Sequence, residues 1–405
     1  YTSIIFQFGY LDFFVNMNFI KRIVLTLLVS VSAFSVKAAV LSDSLQVSML
    51  TVSPGNELYS VFGHTAIRVK DFKNGHDIVF NYGTFDFRTP NFYLKFALGV
   101  LDYQLSIEQF QGFLGSCMAE RRSVYEQKLV MPEANKQMLV SLLLDAYRPE
   151  NRAYRYRFFT NNCATKVRDV IVAATGEYSM FDNANRAKDS TFRMLFTPYL
   201  FNMKWERFGI ELVLGKMTDE KSGYDAMFLP HNLMDALSKA KVDEQLIAPV
   251  TERLYVAKGA DSEGFSFTPV MAMLLIVLIT LGIQFSPSKV KFFDTIFFLI
   301  TGFLGIFIAT LSIASTHPEL HFNMVALLIF PLNFFLPFVK NMKWKKNYCM
   351  AIFILAIGVI ALSPLLPQKF NPAVLLLGLA VAIRLFYNFV MPNSFLTKNK
   401  SKKND

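Results

Sequence analysis

Cysteine is scarce in this sequence, with three residues in a chain of 405. The sequence also lacks a C-x-x-C pair and the H-E-x-x-H, G-x-S-x-G, Walker and dinucleotide-binding motifs, which are the usual signatures of zinc, serine-hydrolase, nucleotide and redox-cofactor sites. We therefore expect no metal and no nucleotide or redox cofactor. Any catalysis must use ordinary side chains, and the cysteines Cys117, Cys163 and Cys349 are the first candidates.

Long polar stretches are missing from the second half of the chain, and 53% of all residues are hydrophobic and 15% aromatic. This composition is too apolar for a purely soluble protein. From Phe265 onward the chain runs in long apolar blocks, whereas Leu41 to Ala260 alternates charged and apolar residues. These patterns predict a soluble domain over 39–264 and a membrane domain over 265–392, with a boundary near "KGADSEGFSFTP".

The amino terminus is typical of a secretory signal peptide. Residues 17–38 carry Lys21 and Arg22, then an apolar core, then small residues at the cleavage positions, as such signals do. The core is short for a membrane span, so we expect cleavage near Ala39, with an uncleaved signal anchor as the alternative. Residues 1–16 fit no part of the signal, and we expect them to be upstream read-through.

The carboxy-terminal region contains five apolar blocks, each long enough to cross a bilayer, which takes about 20 residues. Three of their flanking segments are rich in lysine, and the two alternate connectors, "ASTHPELH" and "PLLPQKFN", hold only Lys369. By the positive-inside rule the lysine-rich side is cytoplasmic, so the soluble domain and these two loops lie outside. The blocks are about 267–285, 292–314, 322–339, 348–365 and 372–390.

The formal net charge of +10 follows largely from this topology, because lysines concentrate in the cytoplasmic loops and in the tail 393–405. Such residues set orientation and attract anionic lipid. We therefore expect a membrane-embedded protein without a nucleic-acid partner. Arg384, inside the last block, is expected to extend its charge to the cytoplasmic edge.

A β-hairpin is predicted around the first histidine. "SVFGHTAIRVKD" and "HDIVFNYGTFDF" are rich in β-branched and aromatic residues, and the Asn74-Gly75 pair between them is a strong turn signal. A hairpin centred near this turn places His64 opposite Gly83 and directs Asn81 to the same face as His64. A register shifted by one residue would separate the two side chains.

A helix is predicted to begin at Cys163. In "FFTNNCATKVRDVIVAATG", Asn161 and Asn162 are preferred N-cap residues and Gly176 is a preferred stop. The positive end of the helix dipole favours a thiolate in the first turn. A nearby imidazole would take the thiol proton, and an amide would fix the imidazole tautomer. We therefore predict Cys163 as nucleophile, His64 as base and Asn81 as the residue that orients it.

Two alternatives remain open for these residues. Cys349 lies at the cytoplasmic end of the fourth block, so in an oxidising exterior Cys117 and Cys163 would be the pair available for a disulfide. A histidine in a strand is also commonly a packed core residue. The residue pattern alone leaves both alternatives standing.

Several segments resemble the family that carries the Lnb amino-terminal periplasmic domain and includes the Lnb-type lipoprotein N-acyltransferases. The resemblance covers most of the mature chain, and "FGHTA" and "NNCATK" are specific in combination. The segments are "PGNELYSVFGHTAIRV", "VFNYGTFDF", "NFYLKFALGVLDYQLS", "PENRAYRYRFFTNNCATKVRD" and "STHPELHFN".

The resemblance implies a fold, a reaction and a location. The soluble part of this family is similar to circularly permuted papain-like domains, such as that of lecithin:retinol acyltransferase, in which histidine precedes cysteine as His64 precedes Cys163. It implies an α+β periplasmic thiol domain followed by an all-α membrane bundle, in a multi-pass protein of the bacterial inner membrane. Cys163 would take an acyl chain from a phospholipid and pass it to the amine of a lipoprotein. The third catalytic residue varies among permuted relatives, so His76 remains a candidate beside Asn81.

Further polar residues flank these motifs or lie in the outside loop, and we expect them to contact substrate. The alternative for the loop residues is a polar turn that precedes the next span. The candidates are Glu57, Ser60, Asn162, His317, His321 and Asn323.

Two other functions remain compatible with the sequence. One is a membrane-tethered papain-like amidase or peptidase that acts on cell-wall peptide, although such an enzyme needs no five-span bundle. The other is a non-catalytic envelope scaffold with a structural disulfide. The analysis of lipid products separates the first from an acyltransferase, and a free-thiol assay identifies the second.

Overall fold

The computed structural model describes residues 45–257, except Arg186, and residues 266–390. The described residues belong to one compact unit. The predicted signal peptide at 17–38, the residues before it, the cytoplasmic tail at 393–405 and the predicted domain boundary near 264 lie outside the described residues.

The soluble part is built on a seven-stranded antiparallel sheet with the order β6-β4-β3-β2-β1-β5-β9, and β7 and β8 form a separate small ribbon. The strands are β1 (Leu45–Val52), β2 (His64–Asp71), β3 (His76–Thr84), β4 (Asp102–Gln109), β5 (Val124–Lys128), β6 (Ala153–Arg155), β7 (Lys241–Val242), β8 (Gln245–Leu246) and β9 (Thr251–Tyr255).

The hairpin of β2 and β3 has the register that the sequence predicts. Ile67 pairs with Phe80, and the same register continued for three residues sets His64 opposite Gly83. The turn contains Gly75, whose φ of 70° lies in the left-handed region that glycine adopts without steric cost.

A buried charge cluster holds β2 in its register. The guanidinium of Arg68 donates to Asp77 at 2.6 Å and to Glu126 at 3.1 Å, and it lies 3.4 Å from the centre of the Phe110 ring. Asp77 stands on the adjacent strand β3, and Glu126 stands on β5, one strand beyond β1, so a slip of β2 would leave a buried charge without its partner.

Within the described part of the soluble region, seven helices accompany the sheet, and short 3₁₀ turns connect several of them. Those after residue 190 surround a cluster of buried aromatic side chains formed by Phe159, Phe192, Phe196 and Phe228. The helices are α1 (Phe92–Ala97), α2 (Phe110–Ala119), α3 (Glu133–Tyr147), α4 (Cys163–Thr175), α5 (Phe192–Phe196), α6 (Lys204–Val213) and α7 (Pro230–Leu237).

The carboxy-terminal part is helical and apolar. Within the described residues, four segments are long and apolar enough to cross a membrane, and Pro269–Phe285 is apolar but shorter. The five predicted blocks therefore correspond to five segments, four of which meet the length for a span. The helices are α8 (Pro269–Gly282), α9 (Pro287–Ala314), α10 (Val325–Leu328), α11 (Met342–Leu362) and α12 (Pro372–Val390).

The segment Pro318–Phe338 is not one continuous helix, because 3₁₀ turns flank the short α10. It packs closely against α9 at two glycines, Gly302 and Gly305. A Cβ atom at Gly302 would overlap the backbone of Phe334, and one at Gly305 would overlap the carbonyl oxygen of Ile329. Small residues permit such close backbone approach between membrane segments.

Arg384 does not extend to the membrane edge as expected. Its side chain is buried in the bundle, where Nε donates to Asp294 Oδ1 at 2.6 Å, Nη2 donates to Oδ2 at 2.9 Å, and Nη1 donates to Thr280 O at 3.2 Å. A bidentate partner lowers the cost of a charge inside a membrane protein. The pair is formed between two helices, so the sequence of α12 alone could not show it.

Hydrogen bonds through the outside loops join the soluble part to the bundle. The N–H of Gly215 donates to Glu319 O at 2.7 Å, and Asn323, predicted to contact substrate, donates from Nδ2 to Leu212 O at 2.9 Å. A Cβ atom at Gly215 would overlap the carbonyl of His321. The thiol domain therefore rests directly on the outer end of the bundle.

The two tight glycine contacts generate a stability prediction. Gly305→Ala should destabilise the bundle, because overpacking in a well-packed core costs about 1–3 kcal/mol. Gly358→Ala is the matched control, since Gly358 is also helical and a Cβ there would meet nothing within 4 Å. Thermal unfolding in detergent should show a lower midpoint for Gly305→Ala alone. Equal midpoints for the two variants would contradict the packing shown at Gly305.

Candidate active site

Cys163 is the first residue of α4. The Oδ1 atom of Asn162 accepts from the N–H of Thr165 at 3.0 Å, and the N–H of Asn162 donates to Thr165 Oγ1 at 2.8 Å. This reciprocal capping box fixes the start of the helix. The thiol therefore lies at the positive end of the helix dipole, where negative charge on sulfur is stabilised.

The Cys163 sulfur also has direct hydrogen-bond partners. The His64 side chain bonds to it, and the backbone N–H groups of Thr65 and Ala164 donate to it. Burial alone would raise the pKa of Cys163, but the charge of His64 and these hydrogen bonds outweigh burial and lower the pKa below its ordinary value. The site therefore favours the thiolate, which is the nucleophilic form.

His64 is the complementary partner. Burial and the charge of Arg122 lower its pKa, whereas the charge of Cys163 and the hydrogen bonds from Cys163 and Asn81 raise it, and the net direction is upward. Its Nε2 atom is hydrogen-bonded to Asn81 Oδ1. Because Oδ1 is an acceptor, Nε2 carries a proton, and Nδ1 is the nitrogen left for the thiol. The two pKa directions are opposite, as each group favours the charged form of the other.

Glu108 extends this chain of contacts and was not predicted from the sequence. The Nδ2 group of Asn81 donates to Glu108 Oε1 at 3.2 Å. The carboxylate therefore determines which way the amide points, since a flipped amide would turn its oxygen toward Glu108 and lose that hydrogen bond. Glu108 lies on β4 opposite Val79, so only the β3–β4 register could have identified it.

Gly83 leaves open space between the functional groups. A Cβ atom at this position would lie 3.6 Å from Cys163 Cβ and 4.0 Å from both His64 Cε1 and Tyr154 Oη. The φ of Gly83 is 95°, a conformation that side chains rarely adopt. The backbone thus leaves room for about one carbon atom beside the thiol, the imidazole and the phenol.

Tyr154 presents a buried hydroxyl to this space. Within the part of the chain that the structure describes, its oxygen has no well-formed hydrogen bond. Burial raises the pKa of Tyr154 well above its ordinary value, so the hydroxyl remains a neutral donor. The Lys166 ammonium lies 4.9 Å from the centre of the ring. Sequence analysis did not single out Tyr154, because nothing local distinguishes it from its aromatic neighbours.

Tyr156 follows β6 and packs against β4. Its ring stacks on Tyr103 with the centroids 4.2 Å apart. Burial raises the pKa of Tyr156 well above its ordinary value, and the charges of Tyr103, Cys163 and Glu319 act in the same direction.

The predicted substrate contacts near the two motifs have structural partners. Ser60 is buried and its Oγ donates to the carbonyl of Glu57 at 3.0 Å, which closes the turn before β2, whereas the Glu57 side chain is exposed. Asn162 Nδ2 donates to Phe158 O at 2.8 Å and to Phe228 O at 2.9 Å. Ser60 and Asn162 thus position the elements that carry the site.

His76 lies far from the site. It begins β3 opposite Asp71, at the other end of the hairpin from His64. A strand rises about 3.3 Å per residue, so the eight residues of β2 span more than 20 Å. Asn81, and not His76, is the residue that the structure brings to His64.

The histidines of the outside loop anchor that loop. His317 Nε2 is hydrogen-bonded to the carbonyl of Phe96 at 3.0 Å, and His317 Nδ1 lies 3.3 Å from Glu319 Oε1. His321 Nε2 is hydrogen-bonded to the carbonyl of Ser315 at 2.7 Å. Of these side chains, His317 and Glu319 form a buried pair on the side of the loop that faces Tyr156.

All three cysteines are free thiols, so the alternative of a Cys117–Cys163 disulfide is not the arrangement observed. Cys117 is buried among apolar side chains that include Phe110 and Phe113. Burial raises the pKa of Cys117 to about 11. The two extracytoplasmic cysteines therefore differ in chemistry, and Cys163 alone has its pKa lowered.

Two family models match this chain. Residues 34–197 match the Lnb N-terminal periplasmic domain, and residues 260–394 match the Lnb transmembrane domain. No curated protein and no solved structure matches the chain. The first match contains Cys163, His64 and Asn81, and the second contains the apolar helices. The two matches indicate an inner-membrane protein with a periplasmic amino-terminal domain, and the chain belongs to the Lnb-type family.

Proposed function

We propose that this protein is a thiol-dependent acyltransferase. It moves an acyl chain from a phospholipid to the α-amine of the lipid-modified amino-terminal cysteine of lipoproteins. The observation that carries the proposal is the Cys163–His64–Asn81 arrangement at the outer end of a membrane bundle. A thiolate placed there can reach an ester of a lipid that never leaves the membrane.

The first half-reaction forms an acyl-enzyme. The Cys163 thiolate attacks the ester carbonyl carbon of the phospholipid, and the carbon–oxygen bond to the glycerol breaks. The proton on His64 Nδ1 passes to the departing oxygen, so a lysophospholipid leaves with a hydroxyl group. A thioester on Cys163 and a neutral imidazole remain.

The second half-reaction transfers the acyl chain to the amine. The neutral amine of the acceptor attacks the thioester carbon, and its surplus proton passes to His64. The carbon–sulfur bond breaks, so that an amide leaves and the thiolate–imidazolium pair is restored. Asn81 keeps the proton on Nε2 through both steps, so Nδ1 remains the nitrogen that exchanges protons. Glu108 holds the Asn81 amide in the required orientation.

Negative charge develops on the carbonyl oxygen in both half-reactions. The Tyr154 hydroxyl is a neutral donor beside the space at Gly83, and a preorganised donor at such a position stabilises the tetrahedral intermediate. We assign this role to Tyr154.

The proposal includes two further features of the architecture. The soluble domain is a permuted papain-like fold, supported by the order His64 then Cys163 and by a thiol at the start of a helix. The bundle crosses the membrane five times, supported by five apolar segments. Among the substrate contacts, His317 is assigned to the acceptor side because it lies with Glu319 near Tyr156.

A membrane-tethered amidase or peptidase that acts on cell-wall peptide is the second candidate. The same thiol–imidazole–amide arrangement also serves hydrolysis of amides. The two candidates differ in the acyl group that Cys163 carries between steps, and product analysis distinguishes them.

The thioester intermediate on Cys163 can be trapped, and the mass that it adds to the Cys163 peptide can be measured. Protein incubated with vesicles of a phospholipid with isotopically labelled acyl chains should gain the mass of one acyl chain on the Cys163 peptide. Addition of a lipid-modified cysteinyl peptide should remove that mass and yield an N-acylated product. Cys163→Ala should show neither event, because the attacking sulfur is absent.

Cys117→Ala is the matched control and should behave as the unaltered protein. N-acylated product that accumulates without label on Cys163 would rule out the thioester route. Equal loss of activity in both cysteine variants would instead support a structural role for the thiols. Release of shortened cell-wall peptides without lipid products would favour the amidase.

The reactivity of Cys163 should depend on pH in a direction set by its partners. Its pKa is lowered from the ordinary 9.0, so the thiolate persists below that pH and alkylation of Cys163 by iodoacetamide should have its midpoint below pH 9.0. Cys117, with a pKa raised to about 11, should remain unlabelled. His64→Ala should raise the pH midpoint of Cys163 alkylation, and Asn81→Ala should raise that midpoint by a smaller amount. An unchanged midpoint in His64→Ala would contradict the ion pair.

The oxyanion role of Tyr154 has its own test. Tyr154→Phe should lower kcat about 100-fold, the usual loss for one such donor, while the pH midpoint of Cys163 alkylation stays unchanged. Tyr82→Phe is the control, because its ring packs 6.0 Å from that of Tyr154 without a role in the proposed chemistry. A loss in Tyr154→Phe no larger than that in the control would contradict the assignment.

A further inference from the structure

A group of apolar side chains is exposed on the soluble domain near the bundle, and we name it the apolar rim. Each of the five is between 44% and 60% exposed, and the Phe96 ring also packs edge-on against His317, with the centroids 6.0 Å apart. Contiguous exposed apolar surface marks a contact with another molecule or with a membrane. The rim consists of Leu58, Tyr59, Phe87, Leu94 and Phe96.

The apolar rim is continuous with the membrane bundle. The carbonyl of Phe96 is hydrogen-bonded to His317 Nε2 at 3.0 Å, and the carbonyl of Ala97 accepts from Ser315 Oγ at 2.9 Å. α9 ends on the extracytoplasmic side of the bundle, and Ser315 directly follows its last residue. The exposed side chains of α1 therefore stand at the level where the bundle leaves the hydrocarbon.

A row of aromatic rings runs from the rim into the domain. The ring centroids are 6.5 Å apart between Tyr59 and Phe87, 4.9 Å between Phe87 and Phe85, and 5.1 Å between Phe85 and Tyr103. Tyr103 pairs with Tyr154 across β4 and β6, and the Tyr154 hydroxyl and the Cβ atom of Cys163 border the same space at Gly83. The row thus links exposed apolar surface to the catalytic sulfur.

We propose that the apolar rim is immersed in the outer leaflet of the inner membrane and that the aromatic row receives the acyl chain of the donor phospholipid. The occupant is a lipid acyl chain and not a second protein, because the rim borders a bundle whose own surface is embedded in lipid. An acyl chain that follows the row brings its ester to the thiol without crossing water. This proposal rests on the proposed acyl transfer and names where the donor binds.

Photocrosslinking tests the immersion without any turnover. Leu94→benzoylphenylalanine in the Cys163→Ser background should crosslink to a radiolabelled phospholipid in vesicles on illumination. Phe72→benzoylphenylalanine is the matched control, because Phe72 is 57% exposed, as Leu94 is 59% exposed, but lies at the opposite end of the hairpin from His64. Lipid crosslinks at Leu94 that do not exceed those at Phe72 would overturn the immersion.

Kinetics test the function of the aromatic row. Phe87→Ser and Leu94→Ser should each lower the rate of Cys163 acylation from vesicle phospholipid about tenfold, through lost apolar contact with the chain. In the same variants, the rate of Cys163 acylation by a water-soluble short-chain thioester should stay within about twofold of the rate in the unaltered protein, because this donor needs no long apolar path. Phe72→Ser should change neither rate.

The outcomes separate the two proposals. The acyl-chain path would be overturned if Phe87→Ser and Leu94→Ser lowered the acylation rate equally with both donors. It would also be overturned if they did not lower the rate with phospholipid. If vesicle phospholipid never acylates Cys163 in the unaltered protein, the proposed acyl transfer fails, and the crosslinking at Leu94 still decides whether the rim lies in the leaflet. Crosslinks to a protein at Leu94 in place of lipid would overturn the inference in favour of a partner chain.

Discussion

The contact between the Cys163 sulfur and the His64 imidazole is the interaction on which the site depends. Burial favours the neutral form of both groups, and each shifts the pKa of the other toward the charged form. The contact joins the start of α4 to the start of β2, and Asn81 and Glu108 on two further strands fix the imidazole. The sheet and the helix are therefore both needed before the thiol differs from an ordinary cysteine.

The second constraint is the short distance between this site and the membrane. Gly215 and Asn323 connect the soluble part to the outer loops of the bundle, and Tyr156 lies within electrostatic reach of both the thiol and Glu319. A substrate that remains in the bilayer is compatible with this placement, because neither it nor the domain has to leave the surface. The close fit at Gly305 supports the bundle that holds the domain there.

Much of this arrangement could be predicted from the sequence, because local signals carry it. The Asn74-Gly75 turn sets the hairpin register that brings Asn81 to His64, and Asn162 and Gly176 mark the ends of α4. The sequence did not predict three of the residues, which are Glu108, Tyr154 and Asp294, the partner of Arg384. Each meets its partner across strands or helices far apart in sequence, and periodicity within one segment contains no information about such pairs.

The long separation of His64 and Cys163 in sequence has a consequence for the nascent protein. Until the sheet is complete, the Cys163 thiol lacks its imidazole and its backbone donors and keeps an ordinary pKa near 9.0. Thiols react with oxidants and disulfides through the thiolate, so an unfinished chain that emerges into an oxidising compartment carries a comparatively inert cysteine. The thiolate character of Cys163 therefore develops only with completed folding.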